Sequence, residues 1–582
     1  VLALSAMTAP ARANGRFPNA QQGREFAPGS LALTGTYGLL LTTNAGTDFQ
    51  FVCESELFGI AADTITADPL LELGPGGSIL TGSLEGARIS RDHGCTFEPL
   101  VSLPRDWEFY ETEPPPGAEN GLVLDFSRRG AESDAPVIAL VALFNESGAI
   151  IEHRVYEAPS GDDFRPIGAP IALSAMDFGS TLDAAPSDPN RVYVSGTLRG
   201  EPVVLASRDG AESFMPSALA PDDPDAVVGA YIAAVSPSDP ERLYVRVPRR
   251  MFQKDNGLYT WDDSLLVSDD GGANFSERLR VRANILGFAL SPDGETVLAG
   301  FGDPSASRML SDPAAVGVYR ADAGELVFTK IVNDLDVTCL FWTEGALYAC
   351  AAERDPLGND PALANDFHLG VYRGRDVPTT AGDFVPLLKL RDVRGPLPWL
   401  DGRRTQCADT WQTSKENAPT PTGACAVLNA CGPRPALSAG ALICGSSGGA
   451  GAGGADSGGA DSGGADSGGA DSGGAPGHGG SDAAGAPDPG RGGAERGGAA
   501  GTPQGETRGS RDGGCGCRLD DRRSEGSLMG LIALVLSALL TIRRRGPAGG
   551  LGTGRTFLIR FLLARPRSFM PGEAKAAGRS RL

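Results

Sequence analysis

Four histidines, His93, His153, His368 and His478, are the side chains best suited to proton transfer or metal binding near neutral pH, and they lie far apart in the chain. His93 sits in a Ser/Asp/Gly turn sequence and His478 in a Gly-rich stretch, so neither a metal triad nor a Ser-His-Asp set is visible. Each histidine reads as a loop or surface residue. The Gly-rich run 448–454 has no following Lys-Ser/Thr and no helix, so it does not form a phosphate loop. Aromatic residues offer recognition rather than reaction. Trp107, Phe109, Tyr110, Phe252, Tyr259 and Trp261 fall in long insertions (107–120 and 251–263, with a third at 354–367), where they are candidate ligand contacts. Packing between sheets is the alternative for them. Asp222, Asp223 and Asp225 read as a solvated charge run, with calcium binding as the alternative. No catalytic residue, metal ligand or cofactor is assigned.

Ten cysteines without a CxxC spacing fit an oxidising compartment. Cys339 and Cys350 fall on neighbouring expected strands, and Cys407, Cys425, Cys431 and Cys444 crowd together after them. These read as disulfides, the last four allowing three pairings. Zinc is the rival reading of that group, and its spacings match no common finger or ribbon.

The elements that would position these residues come from a chain of 582 residues with 81 glycines, many of them within 445–514. About 400 residues remain for folding, which favours a repeated architecture over one large core. The segment 543–582 carries a local charge of +9, so a total of −21 leaves −30 for everything before it. Such an acidic body repels phosphate backbones, and no nucleic-acid partner is expected.

A turn motif recurs along the body. Ser90-Arg91-Asp92-His93-Gly94-Cys95-Thr96-Phe97 is matched by a copy from Ser207 through Asp209 to Phe214, and by another from Ser268 through Asp270 and Gly272 to Phe275. The Asp bonds its own backbone, the Gly accepts positive φ, and the aromatic packs back into the sheet. Degenerate copies start near residues 42, 157, 320 and 373, which makes seven at a mean spacing of about 55 residues. A second element precedes some of them: Pro186-Ser187-Asp188-Pro189-Asn190-Arg191 and Pro237-Ser238-Asp239-Pro240-Glu241-Arg242, with Ser291-Pro292-Asp293-Gly294 as a third version. Each reads as strand, turn, strand.

The Ser-x-Asp-x-Gly-x-Thr-aromatic pattern resembles the BNR repeat, or Asp-box, of sialidase-like and sortilin-like propellers. The resemblance implies an all-β, seven-bladed β-propeller of four-stranded blades over 14–395. It also makes the box residues Ser90, Asp92, Gly94, Phe97, Ser207, Asp209, Phe214, Ser268, Asp270, Gly272 and Phe275 structural rather than catalytic. Blade 1 is expected from about Phe17 to Cys53 and blade 7 from about Asp336 to Leu390, the ring closing by contact between them. The opening Asn14-Gly15-Arg16-Phe17-Pro18 also resembles myxobacterial surface propellers, a resemblance that implies a bond between Cys53 and Cys95. A Cys-rich extension, 396–444, follows the ring.

The ends read as addresses. Residues 1–13 read as a signal-peptide remnant closing on Ala11-Arg12-Ala13, with a disordered N-terminus as the alternative. Residues 445–514, with four Asp-Ser-Gly-Gly-Ala-like copies, form an expected disordered stalk spanning roughly 40–50 Å. The apolar run 528–542 precedes Arg543-Arg544-Arg545 and reads as one transmembrane helix with the acidic body outside. Within 515–545, Cys515 and Cys517, the helix and the arginines resemble the C-terminal sorting signal MYXO-CTERM. That resemblance implies a processing protease and display at the cell surface. Such signals normally end soon after the arginines, whereas here a basic tail, 546–582, consistent with readthrough, follows.

Together these features predict an exported, surface-anchored, non-catalytic binding or scaffold module for an envelope protein or glycan. The alternative is a sialidase-like glycoside hydrolase using the channel. Against that alternative, the family's Phe-Arg-Ile-Pro motif is absent and seven blades replace its six.

Overall fold

The computed structural model describes residues 20–399, Cys407 and 437–444. Within the first range it omits 36–37, 59–68, 84–85, 106–118, 146, 220–226, 253–258, 304–310, 344, 354–360, 362–365, 375–376. The signal remnant, stalk, sorting segment, basic tail, Trp107, Tyr110, Asp222, Asp223, Asp225, Cys425, Cys431, Cys515 and Cys517 all lie outside the described residues. No described helix is long and apolar enough to cross a membrane.

Among the described residues, twenty-eight strands form seven antiparallel sheets of four, each built from consecutive strands. The first strand of each blade touches the first strand of the next, so these seven surround the axis. They are Ala20–Ala27, Leu70–Leu73, Gly121–Arg128, Phe178–Ala185, Tyr231–Val235, Asn284–Leu290 and Val337–Trp342. The chain is an all-β, seven-bladed propeller, with blade 1 ending at Cys53 and blade 7 spanning 337–388.

A blade is covered on both faces by its neighbours, which explains near-continuous apolar runs such as Val137–Phe144, buried along almost its whole length. Peripheral strands face water on their outer edge, and Arg165–Ala172 is correspondingly exposed. Burial is organised by junction rather than in one central core. Each of seven apolar clusters among the described residues joins two adjacent blades; Leu33, Leu40, Phe341 and Tyr348, for example, join blades 1 and 7. At that junction Gly23 leaves room for the Phe341 ring, which would stand 2.2 Å from an added Cβ.

The recurring turn links the third and fourth strands of its blade. Ser90 Oγ accepts from Gly94 N at 2.7 Å, and Asp92 Oδ1 accepts from Thr96 N at 2.8 Å while its Oδ2 accepts from Thr96 Oγ1 at 2.7 Å. The same bonds recur at Ser207, Asp209, Ser213 and at Ser268, Asp270, Asn274. Blade 1 repeats them with Thr42 and Asn44 in the Ser and Asp places. Positive φ falls at Gly94 (92°), Gly272 (84°) and also Ala211 (71°), where the sequence has lost its glycine. In blade 7 a short 3-10 turn, Ala381–Asp383, takes the place of the box.

The second recurring element explains itself through the first. Asn190 O, near the start of the second strand of blade 4, and Glu241 O, in the turn between the first and second strands of blade 5, accept from Gly210 N at 3.0 Å and Gly271 N at 2.8 Å in the recurring turns of their own blades. Gly29 O and Glu295 O do the same for Ala45 N and Ala323 N at 2.8 Å each. Both turns therefore occupy one end of the ring and brace each other.

The extension departs from expectation. Cys53 pairs with Cys407 and Cys95 with Cys444, while Cys339 and Cys350 pair with each other across adjacent strands of blade 7. The expected Cys53–Cys95 bond is absent because the two residues serve different junctions. Cys53 packs between blades 7 and 1, and Cys95 packs against the cluster between blades 1 and 2. Each reaches a cysteine of the segment after blade 7.

Candidate functional site

The axial strands bring a charge cluster into the channel. Arg24 stands on blade 1, Glu72 on blade 2, Asp125 on blade 3 and Asp183 on blade 4. Glu72 is buried; its Oε2 meets Arg24 at 3.5 Å and its Oε1 accepts from Leu73 N at 2.9 Å. Asp125 spends both oxygens on backbone, Oδ1 accepting from Phe126 N and Oδ2 from Leu182 N of the next blade, each at 2.9 Å. Burial nonetheless pushes the Asp125 carboxyl up to about 7, the two N–H bonds opposing and Glu72 adding to the shift. Asp183 is pushed well above the usual carboxylate range by burial first, then by the charges of Asp125 and Glu72. Near neutral pH Asp125 thus carries less than its full charge.

Asp125 also belongs to a set of links between neighbouring blades. Gln22 Oε1 accepts from Leu71 N at 3.0 Å, Thr181 Oγ1 from Ile232 N at 2.8 Å, and Asp263 Oδ2 from Ile285 N at 2.8 Å. Tyr231, on the axial strand of blade 5, has its hydroxyl pushed up to about 12 by burial, with the Arg246 guanidinium 5.6 Å from its ring centre.

Where the axial strands finish, the channel opens into a cavity of about 480 Å3 lined by Arg24, Glu25, Glu72, Arg128, Phe288 and Trp342, among others. Its size falls within the ordinary range for ligand pockets, roughly 300–1,000 Å3. The box turns share this end. The long connections do not: those between blades 2 and 3 and between blades 4 and 5, and those joining the second and third strands of blades 5, 6 and 7, leave from and return to the opposite end.

Three candidate aromatics lie in strands rather than in loops. The middle hairpin of blade 5 extends Leu243–Phe252 against Tyr259–Ser268, so Phe252 pairs with Tyr259 and Trp261 with Arg250 at the end that carries the long connections. Trp261 is half-buried. Two histidines also contradict expectation. His153 and His368 are fully buried rather than in surface loops. His153 Nε2 accepts from Gly179 N at 3.1 Å, and burial lowers its imidazole to about 4 and that of His368 to about 3. His93 lies in the blade 2 box with its ring 5.5 Å from that of Phe26. Among the described residues no three His, Cys, Asp or Glu side chains gather in a way that would hold a metal ion.

Sequence reasoning missed Arg24, Glu72, Asp125 and Asp183. The available signal was a single acid inside an otherwise apolar first strand, as in Leu70-Leu71-Glu72-Leu73 or Leu122-Val123-Leu124-Asp125-Phe126.

Fold and channel define a seven-bladed propeller with a charged axial cluster. No protein-family model and no curated protein matches the chain. Among solved structures it is similar to the GH74 enzyme of Niastella koreensis at 14% identity over 48% of this chain and 40% of that one, with a TM-score of 0.31. It is similar to the GH74 xyloglucanase of Xanthomonas campestris at 13% identity, over 60% and 47%, with a TM-score of 0.35. It is also similar to the β-propeller domain of the Trilobed protease from Pyrococcus furiosus at 12% identity, over 62% and 83%, with a TM-score of 0.31. The chain spans less than half the length of the two GH74 proteins.

Proposed function

We propose that this chain is an exported, cell-surface-anchored propeller of the Asp-box kind that binds an envelope protein or a glycan without transforming it. The Asp-box turns brace the ring, residues 528–542 anchor it in the membrane, and the MYXO-CTERM-like segment around Cys515 and Cys517 directs it to a sorting protease. One observation carries the binding reading: the described strands that flank the long connections all end at one end of the ring, the end to which Phe252 and Tyr259 extend, while the other end carries short braced turns. Long connections on a rigid frame suit a recognition surface.

A specific observation favours glycoside hydrolysis as a second reading. Asp125 and Asp183 stand on adjacent axial strands with raised proton affinity beside Arg24 and Glu72, and a protonated carboxyl near an ionised one is what glycosidic bond cleavage requires. Against it, Asp125 already commits both oxygens to backbone N–H groups, and Glu72 commits one to Leu73 N and the other to Arg24.

Incubating the purified chain with aryl glycosides, sialosides included, and in parallel with glycan and envelope-protein arrays separates the two readings. Saturable binding without turnover is expected. Turnover abolished by Asp183→Asn would replace the binding reading with the hydrolytic one, and an absence of both would refute each.

A further inference from the structure

The main chain crosses six of the seven blade junctions by passing from the peripheral strand of one blade to the axial strand of the next. The junction between blades 7 and 1 is built differently. All four strands of blade 1 come from residues up to Cys53, and all four of blade 7 come from Val337 to Leu388. Neither end of the ring lends a strand to the other, so no hydrogen-bonded sheet spans this junction.

Besides the apolar cluster that joins blades 7 and 1, as one joins every other pair of neighbours, what spans it is the described part of the chain after blade 7, residues 394–399, Cys407 and 437–444. Arg394 N donates to Phe49 O at 2.8 Å, Phe51 N to Gly395 O at 2.8 Å, and Leu397 N to Phe51 O at 3.2 Å, laying the segment along the peripheral strand of blade 1. Arg394 Nε meets Asp48 Oδ1 at 2.8 Å, and Asp48 Oδ2 accepts from Ser438 N at 2.8 Å. Thr43 Oγ1 donates to Gly440 O at 2.8 Å, and Cys444 N to Pro398 O at 2.9 Å. Beside that apolar cluster these bonds are few and peripheral, and they stand where the other six junctions have a continuous main chain. Two covalent ones fix them: Cys407 to Cys53 of blade 1, and Cys444 to Cys95 of blade 2. The third disulfide, Cys339–Cys350, stays inside blade 7 and crosses no junction.

We propose that the segment after blade 7 is a thiol-controlled clasp: with Cys53–Cys407 and Cys95–Cys444 formed the ring is closed, and with both reduced the junction between blades 7 and 1 opens while the other six hold. Each bond forms when two cysteine thiols lose two protons and pass two electrons, by thiol–disulfide exchange, to a disulfide-bearing oxidant that leaves as two thiols. In a reducing compartment the chain is an open arc of blades; in an oxidising one it becomes a ring. The clasp is independent of what the propeller binds.

Hydrogen exchange, resolved by peptide on the full chain before and after reduction with dithiothreitol, tests this, with alkylation mass counts reporting which cysteines were freed. Reduction is expected to speed exchange about ten-fold or more in the strands of blades 1 and 7 and in 394–399, with blades 4 and 5 changing less than about two-fold. Uniform acceleration in all blades, or none, would overturn the clasp. Cys339→Ser with Cys350→Ser is the control, expected to leave the blade 1 pattern as in the oxidised chain; the reduced pattern in that variant would also overturn it. Replacing Cys53, Cys95, Cys407 and Cys444 by Ser should reproduce the reduced pattern without reductant. Should that variant not fold, the reduction of the native chain still decides.

Discussion

His153 remains neutral in the folded chain down to about pH 4, because burial opposes its charge, whereas in the unfolded chain it takes a proton near 6.5. Between those values the unfolded state holds the extra proton, so this residue lowers stability as pH falls. Asp125 works the other way. Its folded carboxyl titrates near 7 and its ordinary value is 3.8, so the folded state holds the extra proton in between and stability falls as pH rises. Each group contributes a slope of about 1.4 kcal/mol per pH unit, with opposite signs. Urea unfolding of His153→Gln at pH 4.5, 5.5 and 6.5 should therefore show a smaller loss on acidification than the parent chain, and Asp125→Asn a larger one. Slopes parallel to the parent would sink both assignments. Neither residue was legible as special, since a polar side chain inside an apolar strand announces burial without saying which junction or channel it faces. The Ser and Asp of the recurring turn were legible, because the hydrogen bonds they accept come from within a few residues along the chain.

The box is the element on which the blade count rested, and its bonds predict its energetics. Asp92→Ala removes acceptors for Thr96 N, Thr96 Oγ1 and Ser90 Oγ, so it should cost about 1–2 kcal/mol in chemical denaturation. Binding at the far end of the ring should be unchanged. A loss of binding with unchanged stability would instead make Asp92 a contact residue. Blade packing gives a second prediction. Gly23→Ala sets a methyl against the Phe341 ring and should destabilise by about 1–3 kcal/mol, with partial recovery in the double variant carrying Phe341→Leu. Simple additivity of the two changes would argue against that contact. Strand ends were less legible than turns. The insertion around Phe252 and Tyr259 reads as a loop because its residues are charged and aromatic, yet pairing with each other extends both strands to its tip.

At the scale of the molecule, seven turns at regular spacing specified seven blades, but nothing local specified how the ring would close. The partners of Cys53 and Cys95 lie 354 and 349 residues away, beyond the reach of any spacing argument. Separation also sets their worth. With Cys95–Cys444 in place the shortest path from Cys53 to Cys407 is about 80 residues, so by loop-closure entropy that bond stabilises by about 2 kcal/mol more than the one between Cys339 and Cys350, whose separation is 11. Guanidinium unfolding of Cys53→Ser/Cys407→Ser should thus show a larger loss than Cys339→Ser/Cys350→Ser, and equal losses would contradict the entropic account. The bond at Cys444 also decides where a pull is felt. Tension arriving from the chain beyond residue 444 enters the ring through sulfur at Cys95 on blade 2, not through the last strand of blade 7. Unzipping one strand at a time is thereby bypassed, and a load applied to that part of the chain is borne by a covalent bond.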